Sequence, residues 1–498
     1  MNGTGNTLRL RALVLALVGL ICNLPFLGYV YGSGGSLWRT ALLGVSLLCL
    51  LYAGVYFLLS AGKTVGRVIL TLLVIVNAGC LYFFREYGAM LDQTMIGNVF
   101  NTDWREASSF ICTKSVLYML VLGVIPCVIV WWRKRDCGSV RNFALNTGGS
   151  LMAGLLLAIP CIFAGDWSGK TGRVCFNLLL PWAYVSNSVH YVADGSKRIS
   201  NEILLPYATV TQTEEKEVMV LVIGESSRWD HFSLYGYERN TSPFLDAEGE
   251  HLRKFKAVSK GTFTILGVHS ILRHYDTDKY YEFLPNYLYR HGVNVIWRAN
   301  NGGAPKLHIA DYRRIPKDGY DEALLDGLGE AIVASDRDKV FVVLHTNTSH
   351  GPEYDDRYPA GFARFTPVRE DTKGTSRSQE GLINSYDNTI VYTDYLLHRV
   401  IGMLRGLEGW RCGMMFVSDH GESLGEKGVY MHGQPDLIAP TEQFMIPFIV
   451  WTSDGSVRAD ESEELTQFHV FHSVMNFFGM RSPIYDDTMN IFNSYTRK

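Results

Sequence analysis

Val218-Met219-Val220-Leu221-Val222-Ile223 is an unbroken apolar run that ends abruptly in Gly224-Glu225-Ser226-Ser227. A strand buried on both faces reads this way, because neither face needs the polar residue that water would otherwise demand at alternate positions; such strands belong to parallel sheets covered by helices. The signature returns at 293–297 (VNVIW), 340–344 (VFVVL), 414–417 (MMFV) and 447–451 (PFIVW), so five buried strands of a parallel sheet are expected. Between them Leu382, Tyr386, Ile390, Thr393, Leu397, Val400 and Leu404 advance by three or four, which predicts one long amphipathic helix. Strands alternating with helices make a doubly wound α/β domain over 217–498.

Ligands of such sheets bind beyond the carboxyl ends of the strands. Here polar clusters follow those ends directly: Glu225-Ser226-Ser227 after the first, Arg298-Ala299-Asn300-Asn301 after the second, His345 and then Ser349-His350-Gly351-Pro352 after the third, and Ser418-Asp419-His420-Gly421-Glu422 after the fourth. Taken singly, Glu225 reads as a charge at a helix start, His350 as a turn residue and Asp419 as a cap. Four strand ends delivering carboxylates, imidazoles and amides to one crevice suit a divalent cation instead, and the mixed oxygen and nitrogen set favours Zn2+ or Mn2+ over Mg2+ or Ca2+. The stretch 261–267 (GTFTILG) is a turn opening a helix. Thr262 or Thr264 either caps that helix or presents a hydroxyl where the helix dipole and a metal favour an alkoxide and a bound phosphate.

The other half is apolar. Charge-free stretches at 12–31, 40–62, 68–84, 115–132 and 143–165 are each near the ~20 residues a helix needs to cross hydrocarbon, predicting five spanning helices within a domain of 1–165. Arg9 and Arg11, Lys63 and Arg67, and Arg133, Lys134, Arg135 and Arg141 mark three cytoplasmic segments, which puts the loop from Arg85 to Lys114 and everything after the fifth helix outside the cytoplasm. The segment 174–193 lacks acidic and basic side chains apart from His190, but Asn177, Pro181, Trp182, Tyr184, Asn187 and Tyr191 suit a helix lying in the interface, so 166–216 reads as interfacial helix and linker.

Composition agrees with two halves. The 498 residues are too many for one compact domain, 47% are hydrophobic and 19% charged, and 10 Trp with 27 Tyr suit a membrane interface. A net charge of −3 from 46 Lys+Arg and 49 Asp+Glu offers no basic field for nucleic acid. Of nine cysteines only Cys412 falls in the polar half, so that domain has no internal disulfide.

With these motifs in hand, the chain resembles the bacterial phosphoethanolamine transferases, alkaline-phosphatase-like (sulfatase-type) membrane enzymes that modify lipid A and include mobile polymyxin-resistance proteins. The matches are Gly224-Glu225-Ser226, Gly261-Thr262-Phe263-Thr264, Ser349-His350-Gly351-Pro352, a general similarity over 364–387 around the FTPV and INSYDN strings, and Ser418 through Glu426 (SDHGESLGE) running on to Val429-Tyr430-Met431-His432-Gly433. The resemblance implies a five-helix transmembrane bundle in the bacterial inner membrane and a periplasmic catalytic domain. It implies that Glu225, Thr264, Asp419 and His420 hold one Zn2+ tightly, with room for a second and Mn2+ as the less favoured metal. Thr264 would carry phosphoethanolamine taken from phosphatidylethanolamine, while His350 and His432 contact the phosphoryl group or a second zinc. The acceptor implied is lipid A or another cell-envelope group, lipid A phosphates leading and lipopolysaccharide core sugars, periplasmic glucans or a protein standing behind them.

Tyr87, Asn98, Thr102 and Glu106 match the family's proposed substrate contacts, and the last three, four apart, would share one helix face and receive an ammonium head group. Asn301 is a further match, whereas the family's nearby lysine is displaced to Lys306, and the cysteines that bracket the nucleophile helix in relatives are Lys260 and Ser270 here. Three rivals stand beside this reading. A sulfatase would need a C/S-x-P-x-R string that does not follow Gly261; a glycerol-phosphate polymerase shares five spans and a threonine nucleophile but not the DHGESLGE run; a phospholipid-binding receptor would lack part of the ligand set, which is complete.

Overall fold

The computed structural model of the chain describes residues 2–61, 63–101, 107–108, 110–132, 140–165, 167, 169–200, 202–277, 279–316, 319–368, 379–436, 438–457 and 460–493. They fall into two compact units, Met1–Ala193 and Asp194–Thr372 with Ser376–Lys498.

In the first unit, Leu37–Ser60, Thr64–Glu86, Thr113–Trp131 and Val140–Phe163 are long and apolar enough to cross a membrane, and a fifth span arises if Asn6–Cys22 and Leu24–Gly32, bent by 47°, count as one. The bend has two causes. Pro25 opens the second helix without an N–H to continue the ladder. Asn23 at the joint is fully buried, and its side chain accepts from the Leu180 N–H at 2.8 Å and donates to the Leu180 carbonyl at 3.2 Å, so the break is satisfied rather than left open. The segment 174–193 is not among the spanning helices. It forms two helices rather than the single interfacial one expected, the end of Gly169–Leu178 and most of Trp182–Ser200, with Pro181 at the interruption. Arg133, Lys134 and Arg135, read as cytoplasmic, lie outside the described residues, and the described cysteines are free thiols.

The second unit is built on β1 (Lys216–Gly224), β2 (Leu252–Val258), β3 (Asn294–Ala299), β4 (Asp311–Arg314), β5 (Lys339–His345), β6 (Trp410–Ser418), β7 (Met445–Thr452) and β8 (Leu465–Thr466), in the order β8-β2-β7-β6-β1-β5-β3-β4. Val218, Val220 and Val222 of β1 enter one core layer and Met219, Leu221 and Ile223 the other, all fully buried, which is why the run is continuously apolar. The predicted amphipathic helix is Gln379–Arg405, packed over the valine face through Tyr386, Ile390, Leu397 and Val400.

Two expectations need correction. The strand around 447–451 is antiparallel to β6, with Phe448 opposite Val417, and antiparallel to β2, so the sheet is mixed. No crossover helix intervenes between β6 and β7; the chain between them is a loop with only short elements, and a chain that returns without a crossover comes back antiparallel. Among the described residues the sheet also has eight strands rather than five. β2 (LRKFKAV) is half-polar, β4 (DYRR) is exposed throughout and β8 is two residues long, so none of them carries the doubly buried signature.

What matters for function is the register. Ile223 lies opposite both His345 and Val417, Gly224 opposite Ser418, and Ala299 opposite His345, so β1, β3, β5 and β6 end at one level and their following residues share one crevice.

Candidate active site

Glu225 leaves β1 fully buried, and the next residue, Ser226, is held at φ 54, a left-handed conformation uncommon for serine. That turn aims both neighbours inward. Ser226 Oγ donates to Glu225 Oε1 at 2.6 Å and the Ser226 N–H donates to Asp419 Oδ1 at 3.1 Å, coupling the ends of β1 and β6. The His420 N–H gives Asp419 Oδ1 a second bond at 2.7 Å. Asp419 Oδ2 is buried without a hydrogen-bond partner and stands 3.4 Å from His420 Nε2.

The three imidazoles are oriented from behind. His420 Nδ1 donates to the Gly421 carbonyl at 2.8 Å, which fixes the tautomer and turns Nε2 to the crevice, 3.4 Å from Glu225 Oε1 and 3.5 Å from Thr264 Oγ1. His350 Nδ1 donates to the Gly351 carbonyl at 2.8 Å, and His432 Nδ1 to Glu422 Oε2 at 2.9 Å. The His432 ring centroid lies 4.2 Å from that of His420 and 5.8 Å from that of His350.

Thr264 begins the helix Thr264–Ile271, and its hydroxyl donates to Glu225 Oε2 at 3.3 Å. Thr262 is spent elsewhere: its buried Oγ1 donates to the Gln434 carbonyl at 2.7 Å, away from the Glu225 carboxylate that Thr264 reaches. Asn301 Nδ2 reaches the same Glu225 Oε2 at 2.6 Å, so the residue with the weaker sequence claim lies at the centre.

This cluster is electrostatically frustrated by itself. Burial alone would raise the Glu225 carboxyl, but His350, His420 and His432 outweigh it and hold it far below the usual range. Burial and the neighbouring Glu225 charge push Asp419 well above its usual range, and burial, helped by His432, lowers His420 to about 3. An orphaned carboxylate oxygen facing a neutral imidazole nitrogen offers donors that suit a cation, and ligand atoms of Glu225, His420 and His432 lie within 4.8 Å of one another. The mixed oxygen and nitrogen set fits Zn2+.

The remaining predicted residues belong to the other unit. Tyr87 is half-buried among Tyr82, Phe83 and Phe110, and Asn98 lies in the helix Gln93–Asn101; Thr102 and Glu106 lie outside the described residues. Gln467 was missed by sequence reasoning. Its Nε2 donates to the Asp419 carbonyl at 2.6 Å and the Ser418 carbonyl at 3.1 Å, buttressing the end of β6, but it stands far along the chain in no motif.

Known proteins place this geometry. A family model described as phosphoethanolamine transferase EptA/EptB matches residues 41–195, and the sulfatase family model matches residues 217–480. Phosphoethanolamine transferase EptA of Helicobacter pylori is 31% identical over 485 residues, 92% of this chain and 91% of that protein. The chain belongs to the phosphoethanolamine transferase family. Phosphatidylethanolamine transferase Mcr-1 of Escherichia coli is 32% identical, covering 79% of this chain and 80% of its own. The full-length lipooligosaccharide phosphoethanolamine transferase A of Neisseria meningitidis superposes with a TM-score of 0.85 over 97% of this chain and 98% of that one, at 24% identity. At the two positions where the resemblance implies cysteines in relatives, Lys260 pairs with Asp276 at 2.5 Å and Ser270 is buried.

Proposed function

We propose that this transferase moves phosphoethanolamine from phosphatidylethanolamine to a phosphate of lipid A, or to another lipopolysaccharide group, through a covalent intermediate on Thr264. The observation that carries it is the Thr264 hydroxyl at a helix N-terminus, 3.3 Å from Glu225 and 3.5 Å from His420, in a crevice of otherwise buried ligand-type side chains.

Glu225, Asp419 and His420, with Thr264 beside them, would hold zinc, and His350 and His432 would face the phosphoryl group or a second ion. The metal, when bound, supplies positive charge that lowers the pKa of the nucleophile and offsets charge on the phosphoryl oxygens. The chain's own groups do the rest. Glu225 Oε2, which also accepts from Asn301 Nδ2, orients Thr264 Oγ1 and takes its proton as that oxygen bonds to phosphorus. The bond from phosphorus to the diacylglycerol oxygen breaks, and His432, oriented by Glu422, returns a proton to that departing oxygen. A protonated acceptor oxygen then attacks phosphorus and gives its proton to His432, the bond from phosphorus to Thr264 Oγ1 breaks, Glu225 returns the proton to Oγ1, and the cycle is ping-pong. Tyr87, Asn98, Thr102 and Glu106 are proposed to receive the lipid head group.

The reading assigns 1–165 to the bacterial inner membrane, 166–216 to interface and linker, and 217–498 to the periplasm, on the distribution of basic residues between the apolar helices. Incubation with phosphatidylethanolamine followed by intact-mass measurement tests the chemistry: the wild type gains one phosphoethanolamine and Thr264→Ala gains none. A wild type that binds the lipid but never carries the adduct overturns it. Mass spectrometry of lipid A from cells with and without the protein tests the acceptor.

A further inference from the structure

Asn301 and His350 reach the crevice from loops without regular structure, one after β3 and one after β5. Each loop is gripped just upstream of its functional residue, and both grips end on one side chain. Asp321 is buried in a short helical turn beyond β4. Its Oδ1 accepts from Asn300 Nδ2 at 2.8 Å; the Asn347 N–H lies 2.9 Å from Oδ2 and 3.1 Å from Oδ1; and the Thr348 hydroxyl donates to Oδ2. We propose that Asp321 is a positioning residue for phosphoryl transfer, a carboxylate that locks the loops carrying Asn301 and His350 at a fixed separation; this rests on the reading of that crevice as the transfer site.

The donor count explains why a carboxylate stands there. Asn300 Nδ2, the Asn347 N–H and the Thr348 hydroxyl all bond to Asp321, and a carboxylate, which only accepts, takes a bond from each of the three. The plainer role is local: a buried carboxylate that merely caps loops for stability. Asp394 is that case in the same unit, buried in the long helix and accepting from the Phe244 N–H at 3.0 Å and the Leu245 N–H at 2.9 Å, with no link to the crevice. Asp321 differs in what its partners adjoin. Asn300 precedes Asn301, which donates to Glu225 Oε2 at 2.6 Å, and Thr348 is two residues before His350, whose carbonyl is held in turn by Arg357 Nε at 2.8 Å.

The pair of carboxylates supplies the test. Full-length wild type, Asp321→Asn and Asp394→Asn, purified in detergent and normalised to folded protein, are mixed with phosphatidylethanolamine, and formation of the Thr264 adduct is followed by intact mass. Asp321→Asn slows adduct formation at saturating lipid by roughly 10-fold or more, the loss typical of removing a residue that orients catalytic groups, whereas Asp394→Asn forms adduct at the wild-type rate. Thr348→Val removes one tie while Asp321 keeps its bonds to Asn300 and the Asn347 N–H, and a loss of about 3-fold is expected of it even should Asp321→Asn fail to fold. Wild-type rates in Asp321→Asn or in Thr348→Val, or equal slowing in Asp394→Asn, overturn the inference. A wild type without adduct overturns the transfer reading and this inference with it; adduct on the wild type beside an unimpaired Asp321→Asn overturns this inference alone.

Discussion

Gly267 lies one turn along the helix from Thr264 and so close to Asp419 that a Cβ built on it would stand 2.1 Å from the Asp419 carbonyl oxygen and 2.6 Å from its carbonyl carbon. The contact is backbone against backbone, so no side chain can swing away. That carbonyl is also pinned by Gln467 at 2.6 Å. Gly267→Ala therefore has to push the Thr264 helix away from the strand end that carries Asp419. The expected result is a stability loss of about 1–3 kcal/mol, typical of overpacking, and adduct formation slowed by roughly 10- to 100-fold because Thr264 is displaced. Thermal unfolding and intact mass on one preparation check both; an unperturbed Thr264 adduct in Gly267→Ala would show that the approach carries no positional information.

The two threonines of the 261–267 turn should separate cleanly. Thr264→Ala removes a half-buried hydroxyl and should abolish the adduct while leaving thermal unfolding nearly unchanged. Thr262→Val keeps the shape but leaves the buried Gln434 carbonyl without its donor, at a cost of about 1–3 kcal/mol. It should retain measurable transfer, lowered only as far as the neighbouring His432 loop loosens. Retention of adduct in Thr264→Ala would move the nucleophile elsewhere.

How far sequence carried each of these assignments follows from where burial is imposed. β1, β5 and β6 were legible because helices cover both faces and force continuous apolar runs. The direction of β7 was not, since PFIVW is equally apolar whichever way it runs, and the turn-back is set by the loop that carries His432. β4 was invisible because an exposed edge strand is under no pressure to be apolar. In the site, Glu225, Asp419 and His420 could be read because they follow strands immediately, so a strand assignment places them. Asn301 against Glu225, Gln467 behind Asp419 and Asp321 between two loops depend on how far irregular segments fold back, which no local pattern records.

Asp394 makes the catalytic unit's stability depend on pH in a definite direction. Burial raises its carboxyl to about 7, against the donors of Phe244 and Leu245. Its unfolded value is about 3.9, so between roughly pH 4 and pH 7 the folded state holds a proton that the unfolded state has lost. The stabilisation is complete below the unfolded value and disappears as pH rises through the folded one. Asp394→Asn stays neutral throughout, so the unfolding temperature of the wild type should fall relative to the variant across that window. A difference between the two that does not change with pH would place the folded-state pKa near the ordinary one.

Metal content separates the residues that hold the ion from those that face the phosphoryl group. Asp419 Oδ2 is buried without a hydrogen-bond partner, and the His420 tautomer is fixed from behind, which turns Nε2 to the crevice where a metal would sit. Asp419→Ala and His420→Ala should thus lose most of the bound zinc and, with it, the adduct, because a four-ligand site tolerates the loss of a ligand poorly. His432 is placed by a different logic. Its Nδ1 is committed to Glu422, and loss of its ring leaves Glu225, Asp419, His420 and Thr264 in place. His432→Ala should keep roughly one zinc per chain, as expected when a primary ligand set survives loss of an outer contact, yet form and discharge the adduct slowly for want of the proton delivered to the departing oxygen. Elemental analysis of the purified variants beside intact mass after incubation with lipid decides it. Zinc lost from His432→Ala as fully as from His420→Ala would make His432 a ligand of the primary ion, an outcome its 4.8 Å grouping with Glu225 and His420 would then explain, and would require a different acid for the leaving oxygen.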